Sequence, residues 1–378
     1  MREILFVAGE VSGDLHAAAV ARALRSANAP FALVGVGGDA MRDAGVELIE
    51  HTVSAAVMGF IAPIRHLPRL ARLRRTLHDR IRSGRVALVI LIDSAGFNMG
   101  IAAAATDAGV PTLYFITPQV WASRAGRMAT LARTVTRAAV ILPFEEKLLR
   151  DHGVNATFVG DPLLDRALAM PDRDDARRQL GLDPARPVLA LFPGSRSQEI
   201  SRHLDPFVAT ALELQRRDAS LQVVVSSAPH VTIPADRCPF PLVHAASFSV
   251  FRAADAALCK SGTTTLEAAI AGCPLVIAYR TSRIEYALAR RLVKIPFIGL
   301  VNIVAGREIA PEFVQEALQP MGLANTLEPL LDQRSAERDA QLQALREVRD
   351  SLGEVGAAER VAAMALGLTQ PASPAATA

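Results

Sequence analysis

Short apolar runs, each only a handful of residues long, alternate along the chain with longer stretches of helical period. The runs fall at residues 4–8, 31–36, 86–92, 112–116 and 139–142, and again at 188–192, 221–226, 242–245, 256–259 and 275–279. None alternates apolar with polar positions, so each predicts a strand buried on both faces, the condition of a parallel sheet covered by helices. Helical spacing between the runs, as over 13–26 and 127–133, supplies the covering layers. The rhythm breaks after Gly160-Asp161-Pro162, where 171–175 and 182–187 are polar and proline-rich, as a linker is. The pattern therefore predicts an α/β protein of two Rossmann-like lobes, each a doubly wound parallel sheet, facing a central cleft. Their expected limits are 1–165 and 186–350. Residues 312–368 read as wholly helical, with 351–368 a last helix free to pack back on the first lobe and 369–378 a frayed tail. The simpler alternative is one long α/β domain with an insertion.

Length agrees with two cores: 378 residues exceed what one ordinary core organises. With 51% hydrophobic and 21% charged residues the chain is globular, and 5% aromatics argue against a stacking platform for single-stranded nucleic acid. The net charge of +3 is mild, so placement of charge matters more than its sum. Cys238, Cys259 and Cys273 stand singly, without metal-ligand or disulfide spacing, which indicates neither a zinc site nor a disulfide framework and fits a reducing cytoplasm; no cofactor is expected. The apolar start is too short for a signal peptide, and no run approaches the roughly 18–20 apolar residues that span a bilayer. A soluble or peripheral protein is expected.

Chemistry concentrates at strand-to-helix turns. Phe192-Pro-Gly194-Ser195-Arg196 and Ser261-Gly262-Thr263-Thr264-Thr-Leu-Glu267 each follow an apolar run and open a helix. Glycine lets backbone approach a ligand, and a helix start offers N–H groups and partial positive charge. Paired, with Arg196 on one and Glu267 on the other, they suggest a diphosphate seat with an acceptor for ribose hydroxyls, hence a nucleotide sugar. Asp93 ends the most apolar run and is a candidate general base for a sugar hydroxyl, against a structural or capping role. Gly9–Asp14 is either a tight turn with Ser12 as N-cap or a loop whose Glu10 and Asp14 bind hydroxyls. Trp121 is packing or contact, and Arg124 a partner for an anionic group. Asn302, Arg307 and Glu308 lie in a polar loop and could reach the cleft.

Residues 55–64, with Met58, Phe60 and Ile61, are almost wholly apolar and run into a segment carrying eight arginines from Arg65 to Arg85 and a single acid, Asp79. Leu67, Leu70, Leu73, Leu77 and Ile81 recur among them at helical spacing. Over 55–82 this describes an interfacial helix on anionic lipid, or else a solvated basic face whose leucines pack on the sheet; nucleic acid is a weaker third choice.

Together Val7–Asp14, Val57–Gly59, Ile92–Asn98, Pro118–Arg124, Leu142–Glu145, Phe158–Gly160, Phe192–Arg196, Ser261–Glu267 and Asn302–Glu308 resemble the lipid A disaccharide synthase family over nearly the whole chain. The resemblance implies a GT-B glycosyltransferase fold and no required metal. It also implies an inverting transfer from UDP-2,3-diacylglucosamine to the 6-hydroxyl of 2,3-diacylglucosamine 1-phosphate, giving the β-1,6-linked disaccharide 1-phosphate and UDP in lipopolysaccharide synthesis. By position, Asp93 corresponds to the family's base, Arg196 and Asn302 to essential polar residues, Glu10 to an acidic loop residue, and Ser261–Glu267 to the UDP-binding segment. Both substrates live in the inner leaflet of the cytoplasmic membrane, so acyl chains account for the apolar 55–64 stretch. A homodimer is left open. Where the family often has Pro-Asp, this chain has Ala95-Gly96, leaving Asp93 without a second acid beside it. A UDP-N-acetylhexosamine epimerase is the alternative enzyme.

Overall fold

All six residues of Glu3–Ala8 and all seven of Val86–Ile92 are buried, and the two strands lie side by side in parallel. The computed structural model describes residues 1–52, 67–118, 126–228, 231–244, 247–292 and 296–370. It divides into two compact units, Met1–Pro162 with Glu354–Ala378, and Leu163–Gly353.

The first unit is built on β1 (Glu3–Ala8), β2 (Ala32–Gly37), β3 (Glu47–His51), β4 (Val86–Ile92), β5 (Thr112–Phe115), β6 (Arg137–Val140) and β7 (Ala156–Phe158), all parallel in the order β3-β2-β1-β4-β5-β6-β7. Alternate side chains of β1 feed opposite cores. Ile4, Phe6 and Ala8 meet the helix Val11–Ser26 and the last helix, Ala357–Thr369, through Val361, Ala362 and Ala365. Leu5 and Val7 meet Leu73, Leu77 and Ile81 of the helix Leu67–Arg82. Arg360 donates from Nε to the Val159 carbonyl at 2.8 Å, fixing the returning chain.

The second unit repeats the design with β8 (Val188–Phe192), β9 (Gln222–Ser227), β10 (Leu242–His244), β11 (Ala256–Lys260), β12 (Leu275–Tyr279) and β13 (Glu312–Val314), parallel in the order β10-β9-β8-β11-β12-β13. The long helix Ser197–Arg217 packs Leu204 and Phe207 on β8 and β9. At the amino ends of β8 and β11 the buried Asp255 carboxylate accepts from the Arg177 guanidinium and the Val188 N–H, each at 2.8 Å, and from Gln333 at 2.7 Å, and pairs with Arg173.

Four elements differ from the sequence pattern. β3, β7 and β13 are short and half-exposed, so they carry no continuous apolar run, and β13 lies inside a stretch expected to be helical. Parallel pairing with Ile277–Tyr279 decides β13. The expected linker holds a helix, Arg173–Gln179, capped by Asp172; its Arg177 is 2% exposed and donates to the Ala253, Pro184 and Arg186 carbonyls. Arginine chemistry, invisible to an apolar-run reading, sews this stretch into the second unit.

Candidate functional site

In doubly wound sheets a ligand binds at the carboxyl ends of the strands where their order reverses. In the first unit that point lies between β1 and β4. Ala8 and Ile92 are register partners, so Gly9-Glu10 and Asp93-Ser94 leave the sheet together. Asp93 and Ser94 have φ of +48° and +47°, and Ile116, after the neighbouring β5, has +58°. Non-glycine residues in the left-handed region cost about 1–3 kcal/mol each and persist only where surroundings enforce them. Here the Asp93 carbonyl accepts from Tyr114 Oη at 2.6 Å and Asn98 Nδ2 at 2.8 Å, while the Asp93 N–H donates to the Phe115 carbonyl at 3.3 Å. The backbone of Asp93 is thus clamped, and the residue stands half-buried at the carboxyl end of the central strand β4. Ser94 Oγ, Asn98 Oδ1 and Thr117 Oγ1 are buried beside it without a hydrogen-bond partner among the described residues.

Two expectations in this unit are corrected. Asp14, expected to bind hydroxyls, is 4% exposed, and its carboxylate accepts from the N–H groups of Gly38, Ala40 and Met41 at 2.7, 3.0 and 3.1 Å. It caps the helix Asp39–Asp43, where a negative charge at a helix start is favourable. Ser12 is exposed in the first turn of its helix; Glu10 takes the N-cap position, half-buried, with no side-chain capping bond. Met58, Phe60, Ile61, Trp121 and Arg124 lie outside the described residues. For the basic segment, Leu73, Leu77 and Ile81 are core, Arg69 and Arg80 pair with Glu50 and Glu3, and Arg72, Arg75 and Arg82 are exposed. Leu73, Leu77 and Ile81 thus face the sheet, while Pro68, Ala71, Thr76 and Asp79 share the outward side with the exposed arginines. No described helix is long and apolar enough to cross a membrane.

In the second unit the order reverses between β8 and β11, and both glycine turns lie there. Phe192 and Cys259 are register partners, so Pro193–Arg196 and Ser261–Thr263 are adjacent. Gly194 has φ +140°, and a Cβ there would fall 2.5 Å from Glu199 Cβ; Gly262 has φ +155°. Only glycine fits the first of these turns. Arg196, two-thirds exposed, is the N-cap of Ser197–Arg217, and Thr263 that of Thr264–Ala271, neither with a side-chain cap. Ser261 Oγ donates to the Ile298 carbonyl at 2.6 Å, and Thr265 Oγ1 accepts from the Val301 N–H at 3.3 Å, tying the second turn to the helix Leu300–Ala305. Glu267 is 7% exposed and lies 3.3 Å from Arg166 Nη1.

Ser195, expected to offer its N–H outward, donates it to Glu199 Oε2 at 2.9 Å. Burial pushes the Glu199 carboxyl up, but Lys260, the Ser195 N–H and Arg196 outweigh it and hold the group below the usual carboxylate range. His203 is fully buried: Nδ1 faces the Glu199 carbonyl at 2.8 Å, and Nε2 accepts from the Arg280 N–H at 2.8 Å. Burial drives its pKa down to about 4, so the ring is neutral at pH 7 and joins the helix after the first turn to the loop after β12. Glu199, Lys260 and His203 were not expected; the signals were an acid three residues past Arg196 and a lysine directly before Ser261.

Asn302 and its neighbours are expected from sequence to reach the cleft. Asn302 is wholly buried: Oδ1 accepts from Ile309 and Ala310 N–H groups at 2.8 and 2.9 Å, and Nδ2 donates to the Ala310 carbonyl and to Glu312 Oε1, both at 2.8 Å. Its full hydrogen-bonding capacity is spent on the segment from Ile309 to Glu312. Arg307 pairs with Glu347 at 3.0 Å and Glu308 accepts from the Glu312 N–H at 3.3 Å, which places both at the amino end of β13, away from the turns. Among the described residues no group of three or more His, Cys, Asp or Glu side chains could hold a metal ion.

Two Rossmann sheets of this strand order, one with twin glycine turns at its switch point, define an α/β protein of GT-B type. Solved structures of that architecture match: a UDP-GlcNAc 2-epimerase from Neisseria meningitidis at TM-score 0.65 and 10% identity, covering 97% of this chain and 100% of that one. MurG from Acinetobacter baumannii follows at TM-score 0.59 and 12% identity, with 97% and 100% covered. At these identities the likeness is of fold. The lipid-A-disaccharide synthetase family model matches residues 4–365, and the chain belongs to that family. Relatives named lipid-A-disaccharide synthase include one from Anaeromyxobacter sp. (strain K), 41% identical over 374 residues and 97% of both chains. Another, from Myxococcus xanthus, is 38% identical over 97% of this chain and 98% of its own. The chain is accordingly a glycosyltransferase with a role in lipid A disaccharide synthesis.

Proposed function

We propose that this chain joins UDP-2,3-diacylglucosamine to 2,3-diacylglucosamine 1-phosphate with inversion, releasing the β-1,6-linked disaccharide 1-phosphate and UDP. The observation that carries the reading is the coincidence of the family's polar motifs with the switch points of both sheets, where physical argument alone places a ligand. Family membership supports a sugar-nucleotide donor and a lipid acceptor.

In this reading the Asp93 carboxylate takes the proton of the acceptor 6-hydroxyl as its oxygen attacks the donor's anomeric carbon. The bond from that carbon to the UDP oxygen breaks, and the electron pair leaves with the diphosphate through an oxocarbenium-like transition state. Arg196 and the N–H groups at the start of Thr264–Ala271 stabilise the growing charge, each well-placed donor contributing about 3–4 kcal/mol. Gly194, Ser195 and Ser261–Thr264 line the diphosphate, and Glu267 receives ribose hydroxyls. Glu10 and Ser12, with Trp121 and Arg124, contact the acceptor, to which Ser94, Asn98 and Thr117 lend unspent hydrogen-bonding groups. Met58, Phe60 and Ile61 meet acyl chains at the inner leaflet, and the exposed arginines of 67–82 meet anionic headgroups. The protein works without a metal or cofactor, in one copy or as a homodimer.

Incubation with both diacylated substrates, followed by mass spectrometry, tests the reaction. The expected product is the tetraacyl disaccharide monophosphate, formed with stoichiometric UDP and unaffected by EDTA. UDP-sugar conversion without a lipid acceptor would point to an epimerase instead and overturn the reading.

A further inference from the structure

Lys260 ends β11 directly before Ser261, beside the strand that carries Pro193–Arg196. Its ammonium lies 2.9 Å from Glu199 Oε1 and 3.3 Å from the point a Cβ on Gly262 would occupy, so it stands between the two glycine turns. Both side chains are largely buried, at 16% and 14% exposure. A lysine withdrawn from water needs an anion close by. The same Glu199 carboxylate accepts the Ser195 N–H at 2.9 Å and lies 3.5 Å from Arg196 Nη1. One ammonium, one guanidinium and one backbone N–H converge on its two oxygens. That is the donor set which recognises a phosphate.

Resting on the reading of this unit as the UDP-sugar site, we propose that Lys260 is a second cation for the nucleoside diphosphate, and that Glu199 is the internal anion from which the diphosphate takes it over. The carboxylate keeps ammonium, guanidinium and amide facing one point; the incoming diphosphate brings more charge and more acceptor oxygens, and competes for the same three donors. Glu199 therefore positions Lys260 and at the same time opposes binding.

Calorimetric titration of the full chain with UDP and, separately, with uridine tests this, because uridine lacks the charge that Lys260 addresses. In Lys260→Met, which keeps the apolar stem, the UDP Kd is expected to rise at least tenfold while the uridine Kd stays within twofold, and UDP binding should depend less steeply on salt. Glu199→Gln, which retains an acceptor for the Ser195 N–H, is expected to bind UDP three- to tenfold more tightly. An unchanged UDP Kd in Lys260→Met, or an equal loss for uridine, overturns the role of Lys260. Weaker UDP binding in Glu199→Gln overturns the exchange. Failure of the unmodified chain to bind UDP would instead overturn the reading of the site itself.

Discussion

Asp93 and His203 show how single side chains are set by what surrounds them. The Asp93 backbone is held in a left-handed conformation by Tyr114, Asn98 and Phe115. Asp93→Asn is expected to lower kcat by about 10²–10⁴, the usual contribution of a general base, with unchanged circular dichroism and UDP affinity. Near-normal turnover in that variant would remove Asp93 from the role. His203 gives a pH dependence of known sign. Its folded pKa is depressed by burial to about 4, below the ordinary 6.5, so the unfolded chain takes up a proton that the folded chain refuses. Stability is therefore complete above about pH 6.5 and falls through the window down to about 4. The loss from this group is about 3 kcal/mol. Urea midpoints measured across that range should fall less in His203→Gln than in the unmodified chain. Asp93 was legible because it ends an apolar run. His203 was not, since a histidine seven residues into a helix has no sequence mark of the two backbone groups it will bridge.

At the scale of elements, the glycine turns and the basic helix carry the argument. Gly194→Ala places a Cβ 2.5 Å from Glu199 Cβ at φ +140°. It is expected to cost about 1–3 kcal/mol in denaturant unfolding and to weaken UDP binding in calorimetry. The helix Leu67–Arg82 reads equally well in sequence as a lipid-facing segment or as a sheet cover, because both need the same leucine spacing. Contacts with β1 and β4 decide for the cover over its described length. Leu77→Ala should destabilise the fold by about 2–5 kcal/mol in urea unfolding, as for a core leucine; a loss below 1 kcal/mol would contradict that packing. β13 was missed for the opposite reason: three half-buried residues hold no periodicity, and a neighbouring strand supplies the reason to be extended.

For the whole molecule, the chain leaves the first unit at Pro162 and returns at Glu354, so the second unit is continuous and the first is not. The last helix fills one face of the first sheet with Val361, Ala362 and Ala365. A chain ending at Gly353 is expected to keep cooperative unfolding of the second unit while the first loses protection in amide hydrogen exchange. Equal protection of both would show that the returning helix adds nothing. Asp255 performs the matching task in the second unit, joining Arg173, Arg177, Gln333 and the start of β8.

Sequence by itself determined the two-sheet α/β class, ten of its strands to within two residues at their ends, and the turns on which the site is built. Those features are local: an apolar run buries itself on both faces wherever it lies, and a glycine turn before a helix keeps its geometry in any context. Tertiary structure alone decided which polar groups are spent inside the fold and which remain for a ligand. Asp14 looks like a site residue in sequence and is consumed by the backbone N–H groups of Gly38, Ala40 and Met41, while Lys260 and Glu199, unremarked in sequence, meet beside the switch point of the second sheet. Partnering depends on distances between segments far apart along the chain, and only the packed sheet sets those distances.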